Sequence, residues 1–321
     1  MIERVDFAPL DGITKAVFRR VFHARFGGAD RYFIPFFSPT DQHIVTKRDQ
    51  RELDVANNPG LPLVPQIMTR RADDFLWAAS LMEDLGYREV NLNLGCPSGT
   101  VTAKGKGSGF LAKPDELERF FDQVFASVRL PVSVKTRLGV QSPEEFERLL
   151  EIYNRYPIAC LTVHPRVQKE FYKGTVHRDW FTRAAEGSRN PICYNGDLVT
   201  VEDIRAFERD FPAVEAVMIG RGAVADPALL RKLRGGAPAT REELMDFTAE
   251  LYQAYQEFYG QVGPAAQRMK EVWFYLIHLF EGGEKIHKSM RRSRTPREYE
   301  ALEAEAFSTL PLRDHAVGPL V

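Results

Sequence analysis

Eight short runs of β-branched or aromatic residues recur along the first two-thirds of the chain: VDFAP (5–9), RYFIPFF (31–37), LPLVPQI (61–67), REVNLNL (88–94), LPVSVKT (130–136), ACLTVH (159–164), PICYN (191–195) and EAVMIG (215–220). Amphipathic stretches separate them, and that alternation specifies βα units on a parallel sheet. DDFLWAASLMEDLG (73–86) reads as a helix stopped at Gly86. PDELERFFDQVFASV (114–128) opens on Pro114 with acids in its first turn. SPEEFERLLEIYNRY (142–156) offers Ser142 as N-cap and Pro143 as first helical residue. Eight such repeats in about 235 residues match a (β/α)₈ (TIM) barrel in count and size. An open doubly wound sheet shares the periodicity and is the runner-up.

After LLRKLRGGAPAT (229–240) no further strand pattern occurs, and the Gly235, Gly236 and Pro238 stretch reads as a linker. Leu244, Phe247, Leu251, Tyr255 and Phe258 share one helical face, and Ala265, Met269, Val272, Leu276 and Phe280 share a second. A third helix is expected over 296–307. The expected fold class is therefore α/β, a barrel over 1–236 with an all-helical domain over 240–310 and a tail over 311–321.

Hydrophobic residues make up 44% and charged residues 27% of 321, ordinary values for a globular chain that buries its own core. Cys96, Cys160 and Cys193 are too few and odd in number for a disulfide framework, so free thiols in a reducing compartment are expected. The N-terminus lacks the layout of a secretion signal and no apolar run could span a bilayer, so a cytoplasmic location with no membrane contact is expected. Net charge is −1, yet Lys285 to Arg297 holds six Lys or Arg and no acid. From charge alone a solvated helix face is favoured over a binding patch.

Barrel enzymes place catalytic groups at the C-terminal strand ends. Here those ends carry Gln66, Asn93 with Cys96 just beyond, Lys135, His164 with Arg166, Asn195-Gly196-Asp197, and Gly220-Arg221-Gly222. Gln66 and Asn93 could serve only neighbouring backbone, and a lone histidine is more often an interior hydrogen-bonding residue. A lysine in the apolar run LPVSVKT is harder to explain without an anionic partner. The two glycine-bearing ends after the seventh and eighth strands occupy the fold's frequent phosphate site, with Arg221 as a possible clamp. GKGSGF (105–110) is not a dinucleotide fingerprint, and there is no GxxxxGK[ST] loop or GxSxG elbow. Cys160 and His164 lack further ligands, so no metal site is expected.

NLNLGCPSGTV (91–101) followed by GSGFL resembles the NxGCP loop of the dihydrouridine synthases. APLDG (8–12), Gln66, VKTRLG (134–139), TVHPR (162–166), FYKG (171–174), NGDL (195–198), MIGRGA (218–223) and RMKEVWFYL (268–276) extend the resemblance in order. It implies an FMN-dependent barrel that reduces uridine in folded RNA, usually tRNA, with NADPH; rRNA is the alternative substrate. Carried onto this chain, Pro9 and Leu10 line the flavin ring, Gln66 bonds it, and Lys135 and His164 lie against its polar edge. Asn195, Gly196, Asp197, Gly220 and Arg221 hold the ribityl phosphate. Asn93 and Arg166 contact the substrate and Cys96 is the acid. The chain after residue 280 matches the family poorly, but an RNA substrate makes the basic run, with Lys288, Arg291 and Arg292, a phosphate-contacting surface. Asn91 departs from the family's common acid and Leu10 from its common methionine.

The implied chemistry suits these residue types. Hydride addition at uracil C6 leaves enolate character that needs a proton at C5, and a thiol near pKa ~8.5 is mostly protonated at neutral pH. A fixed lysine favours the negative charge of a reduced flavin. The Gly-, Ser- and Thr-rich 95–109 segment reads as a hinged loop carrying the acid, and the target base must leave its stack. Three other readings compete: a flavin barrel oxidoreductase acting on a free pyrimidine, a Schiff-base lyase using Lys135, and an RNA-binding module without catalysis. The oligomeric state is not encoded in any pattern of the chain.

Overall fold

The computed structural model describes residues 1–318 and 320, so part of the expected 311–321 tail lies outside the described residues. Eight strands form one closed barrel in sequence order: β1 (Arg4–Phe7), β2 (Arg31–Phe37), β3 (Leu63–Ile67), β4 (Val90–Leu94), β5 (Val132–Gly139), β6 (Leu161–Val167), β7 (Ile192–Tyr194) and β8 (Ala216–Ile219). Every registered pair is parallel, as crossover helices require. The expected strands are all present. Two run further than their apolar pattern: β5 continues to Gly139 and β6 to Val167, since Arg137 and Arg166 are buried charged residues that end an apolar run without ending a strand.

The helix expected from residue 73 spans Ala72–Asp84, and Gly86, at φ 91°, follows its C-cap. Gly86 N–H bonds to Glu83 and Tyr87 N–H to Met82, a Schellman closure. Pro114 opens Pro114–Ser127 as expected. The expectation for Ser142 is corrected: the helix begins at Glu145, because the Glu145 carboxylate accepts from the amides of Val140, Gln141 and Ser142 and holds that turn outside the helix.

The chain divides into two compact units. The first comprises Met1–Pro9, Arg31–Gly196 and Glu208–Met218; the second comprises Leu10–Asp30, Asp197–Phe207 and the chain from Ile219 onward. In the first unit Ala8, Phe33, Val64, Cys160, Cys193, Ala216 and Met218 form a buried hydrophobic cluster, and Asp6, Gln66, Asn91 and Ser133 are buried polar residues of β1, β3, β4 and β5. The three cysteines are free thiols.

In the second unit the Ala16–Arg25 helix packs on the Arg241–Tyr259 helix. Phe18, Phe22 and Phe26 meet Phe247 edge-on at 6.1, 6.4 and 5.3 Å, and Arg25 pairs with Asp246 and Glu250. The Arg241–Tyr259 helix starts in a Thr240–Glu243 capping box and ends on Gly260 at φ 64°. Its face is buried at Leu244, Phe247, Leu251 and Tyr255, with Phe258 half-buried. Val262–Leu276 follows, with Trp273 buried and donating to Glu303 at 3.0 Å. The third expected helix spans Pro296–Thr309, behind a Thr295–Glu298 capping box. Four of the six cations of the basic run lie on a separate helix, Glu284–Arg292, which buries Ile286 and Met290 while Lys285, Lys288, Arg291 and Arg292 stay exposed; Arg294 follows it and Arg297 lies in the Pro296–Thr309 helix. Among the described residues no helix is long and apolar enough to cross a membrane.

Candidate active site

At the C-terminal end of the barrel, β4 and β5 set Asn93 opposite Lys135, and β5 and β6 set Arg137 opposite His164. Lys135 has no hydrogen-bond or ion-pair partner among the described residues. Burial, reinforced by the neighbouring Arg137 guanidinium, pulls its ammonium down to about 8. Arg137 is itself buried, and burial lowers it to about 10; its guanidinium donates to the carbonyls of Gly95 (2.9 Å) and Val167 (3.1 Å) and lies 5.2 Å from the Tyr172 ring centre. Two cations this close, one of them unpartnered, favour an anionic ligand.

Asn93 fixes the start of the Cys96 segment. Its Oδ1 accepts from Gly95 N–H at 3.0 Å and Cys96 N–H at 2.9 Å. Its amide nitrogen donates to Gln66 Oε1 at 2.6 Å, Gln66 donates to Asn91 Oδ1 at 2.8 Å, and Asn91 donates to Ser133 Oγ at 2.9 Å. Ser133 donates to Glu89 at 2.6 Å, and Glu89 accepts from Arg31, which also forks onto Asp6. Gln66, Asn91, Asn93 and Ser133 are buried, so each amide is held by partners it needs.

Cys96 is half-buried. The segment after it, expected as an open hinged loop, folds into two short helical turns, Gly99–Thr102 and Gly107–Ala112. Ser108 ties the second turn back, donating through N–H (3.1 Å) and Oγ (2.8 Å) to Cys96 O. Gly107 sits at φ 57°, where a Cβ would come within 2.8 Å of Cys96 O. Lys106 reaches Ser38 Oγ at 3.0 Å. The segment is thus a compact cradle around one thiol.

His164 is buried, with its Nε2 3.0 Å from Arg166 Nη1. A guanidinium can only donate, so His164 Nε2 accepts and the ring is neutral with its proton on Nδ1. Arg166 also donates to Lys173 O and Gly174 O at 3.2 and 2.6 Å. That arginine is buried and holds the 171–174 loop, in which Phe171 adopts φ 53° and Tyr172 lies over His164 with ring centres 6.1 Å apart.

The remaining expected site residues are spread over the two units. In the first, Pro9 is half-buried just past β1, Asn195 donates to Met218 O at 2.8 Å, and a Cβ on Gly196 would lie 3.0 Å from Tyr194 Oη. In the second, Leu10 N–H donates to Thr14 Oγ1 at 2.8 Å. Asp197 takes φ 42° and accepts from Arg221 at 2.9 Å, while the other Arg221 nitrogen donates to Leu320 O at 2.7 Å. Gly220 caps the turn Arg221–Ala225, and at Gly222 a Cβ would sit 2.3 Å from Leu198 O, so only glycine fits there. Lys288, Arg291 and Arg292 are exposed on one helix. Sequence reasoning missed Arg137, Ser108 and the Ser133–Glu89 extension; the alternation of Lys135 with Arg137 along one strand was the available signal for the first.

The family model described as Dihydrouridine synthase (Dus) matches residues 6–310. The tRNA-dihydrouridine(16) synthase of Ralstonia nicotianae is 32% identical over 241 residues, covering 73% of this chain and 73% of its own. The probable tRNA-dihydrouridine synthase 1 of Synechocystis sp. is 29% identical over 321 residues, covering 96% of this chain and 88% of its own. Among solved structures, morphinone reductase aligns with a TM-score of 0.52 at 13% identity over 74% of this chain and 87% of that one, a likeness of fold alone.

Proposed function

The chain belongs to the dihydrouridine synthase family, and from that premise we propose that it is a flavin-dependent oxidoreductase that reduces uridine to 5,6-dihydrouridine in tRNA. The single observation that carries this reading is the pairing of Asn93 with Lys135 across β4 and β5, with the Cys96 amide bonded to Asn93 Oδ1. It puts a partnerless cation beside the anchor of a thiol-bearing segment.

The residues fit FMN. Lys135 is a buried-side ammonium lacking a counter-charge, and the negative edge of a reduced flavin would supply one. Gln66, with both amide atoms committed, would hold a ring atom only through geometry already fixed by Asn91 and Asn93. His164, neutral by its bond to Arg166, would add a polar contact without a second charge. Pro9 and Leu10 would border the ring; Asn195, Gly196, Asp197, Gly220 and Arg221 would hold the ribityl phosphate. Bound FMN, reduced by NADPH, would supply the hydride for uracil C6.

Cys96 would then hold the proton that C5 requires, with its backbone held by Asn93 at the N–H and by Ser108 at the carbonyl. Asn93 would orient the uracil edge. The helical segment 240–310 would bind RNA, with Lys288, Arg291 and Arg292 meeting phosphates in a cytoplasmic setting. The test is to purify the protein, supply FMN and NADPH, and map dihydrouridine in unmodified tRNA. A yellow protein that forms dihydrouridine is expected. Cys96→Ala should keep flavin reduction by NADPH and lose at least 100-fold in RNA product, in the general acid range of about 10²–10⁴. A protein that takes up no FMN and forms no dihydrouridine would overturn the reading.

A further inference from the structure

Two cavities open in the second unit around the Glu284–Arg292 helix. The larger, about 690 Å³, is lined by His278, His287, Lys288, Arg291, Arg292 and Arg313, with Glu284 as its one acid. The His287 Nε2 atom is buried and has no hydrogen-bond partner, so the cavity wall carries an unsatisfied polar atom as well as its cations. The smaller, about 310 Å³, has Gln267, Phe274 and Tyr275 in its wall beside Asp11, Lys270 and Glu271. Arg291 lines both.

Apart from Arg291, the ionic groups of the smaller cavity are already used. Asp11 pairs with Lys15, Glu271 with Arg268, and Lys270 donates to Ser293 O at 2.9 Å. What remains besides Arg291 is an amide, Gln267, exposed and without a hydrogen-bond partner among the described residues, beside two aromatic rings 5.0 Å apart edge to face. A flat apolar body with a polar edge suits such a wall, and a side-chain amide can meet a base edge with donor and acceptor at once. The volume lies at the lower end of the small-ligand range of about 300–1,000 Å³.

We propose that the smaller cavity seats the base of one RNA nucleotide other than the reduced uridine, with Arg291 on its phosphate and the larger cavity continuing the backbone track. This rests on the RNA reading above and deepens it: Gln267 and Arg291 select which uridine is presented. Neither residue touches the reacting atoms, so both act as specificity-determining residues.

The test is an abasic scan of an unmodified tRNA transcript, with binding to wild type, Gln267→Leu and Arg291→Ala followed by fluorescence anisotropy at several salt concentrations. One position should stand out, where removing the base weakens wild-type binding about tenfold and leaves Gln267→Leu unaffected. Arg291→Ala should flatten the salt slope by about one unit. Unchanged melting of the variants checks that they fold. A scan with no such position overturns the seat. So does slower NADPH-driven flavin reduction in Gln267→Leu with unaltered RNA binding, which would give the cavity to the reductant. If the wild type forms dihydrouridine and the variants match it, only the seat fails; if the wild type neither binds nor reduces RNA, the reading beneath it fails too.

Discussion

Lys135 shows how a single residue advertises a site. Its position in LPVSVKT was legible as a cation in an apolar run, and the structure adds that no carboxylate among the described residues answers it. The ammonium, normally near 10.5, is held down to about 8. Below pH 8 both folded and unfolded chains carry the charge, and the folded chain bears the full burial penalty. Between pH 8 and 10.5 the folded chain has lost the proton while the unfolded chain keeps it, so stability rises with pH across that window. The flavin-free protein should therefore gain about 2–3 kcal/mol from this residue between those pH values, and Lys135→Met should remove that gain and stabilise the protein at pH 7. Urea denaturation at stepped pH checks it; identical slopes for the two proteins would dismiss the assignment. The amide line through Gln66 and Asn91 was not legible in the same way, because its partners are set by strand register, which single-strand patterns do not contain.

At the scale of elements, alternation and turn chemistry located the strands to within a few residues, and buried arginines hid the ends of β5 and β6. The 95–109 segment, read as a hinged loop, contains short helical turns that its composition did not show. Its glycines suggest mobility, yet they serve close approach: Gly107 admits the Cys96 carbonyl and Gly109 the Thr102 backbone. Composition does not distinguish a flexible glycine from one that makes room. Gly107→Ala should cost about 1 kcal/mol or more of stability through its positive φ, and more through the clash at 2.8 Å. It should also lower RNA product several-fold while FMN reduction by NADPH is unchanged. Gly99→Ala, where a Cβ meets nothing within 4 Å, is the matched control and should be silent in melting and turnover.

For the whole molecule, the loss of strand pattern after residue 240 marked where the repeat stops, but compactness follows other contacts. The Ala16–Arg25 helix, early in the chain, belongs with the late helices through Phe18, Phe22, Phe26 and Phe247. Truncation after residue 236 would strip those three rings of their partner, at about 1.5–3 kcal/mol of burial for each ring left exposed. The shortened chain should be insoluble or aggregated on gel filtration; a monodisperse, folded 1–236 fragment would contradict this. Local helix signals cannot report such pairing, since the partners are more than 200 residues apart.

The donor line from Asn93 to Glu89 has a consequence for anyone wishing to redesign this molecule. Every amide in it donates towards the far carboxylate, which accepts and cannot reciprocate. Turning Asn93 over to present its other edge would set donor against donor at Cys96 and acceptor against acceptor at Gln66, and the inversion would pass on to Asn91 and Ser133. An altered base preference at Asn93 therefore cannot be engineered one residue at a time. The whole file of side chains must be rewritten together, down to the acid that gives it a direction.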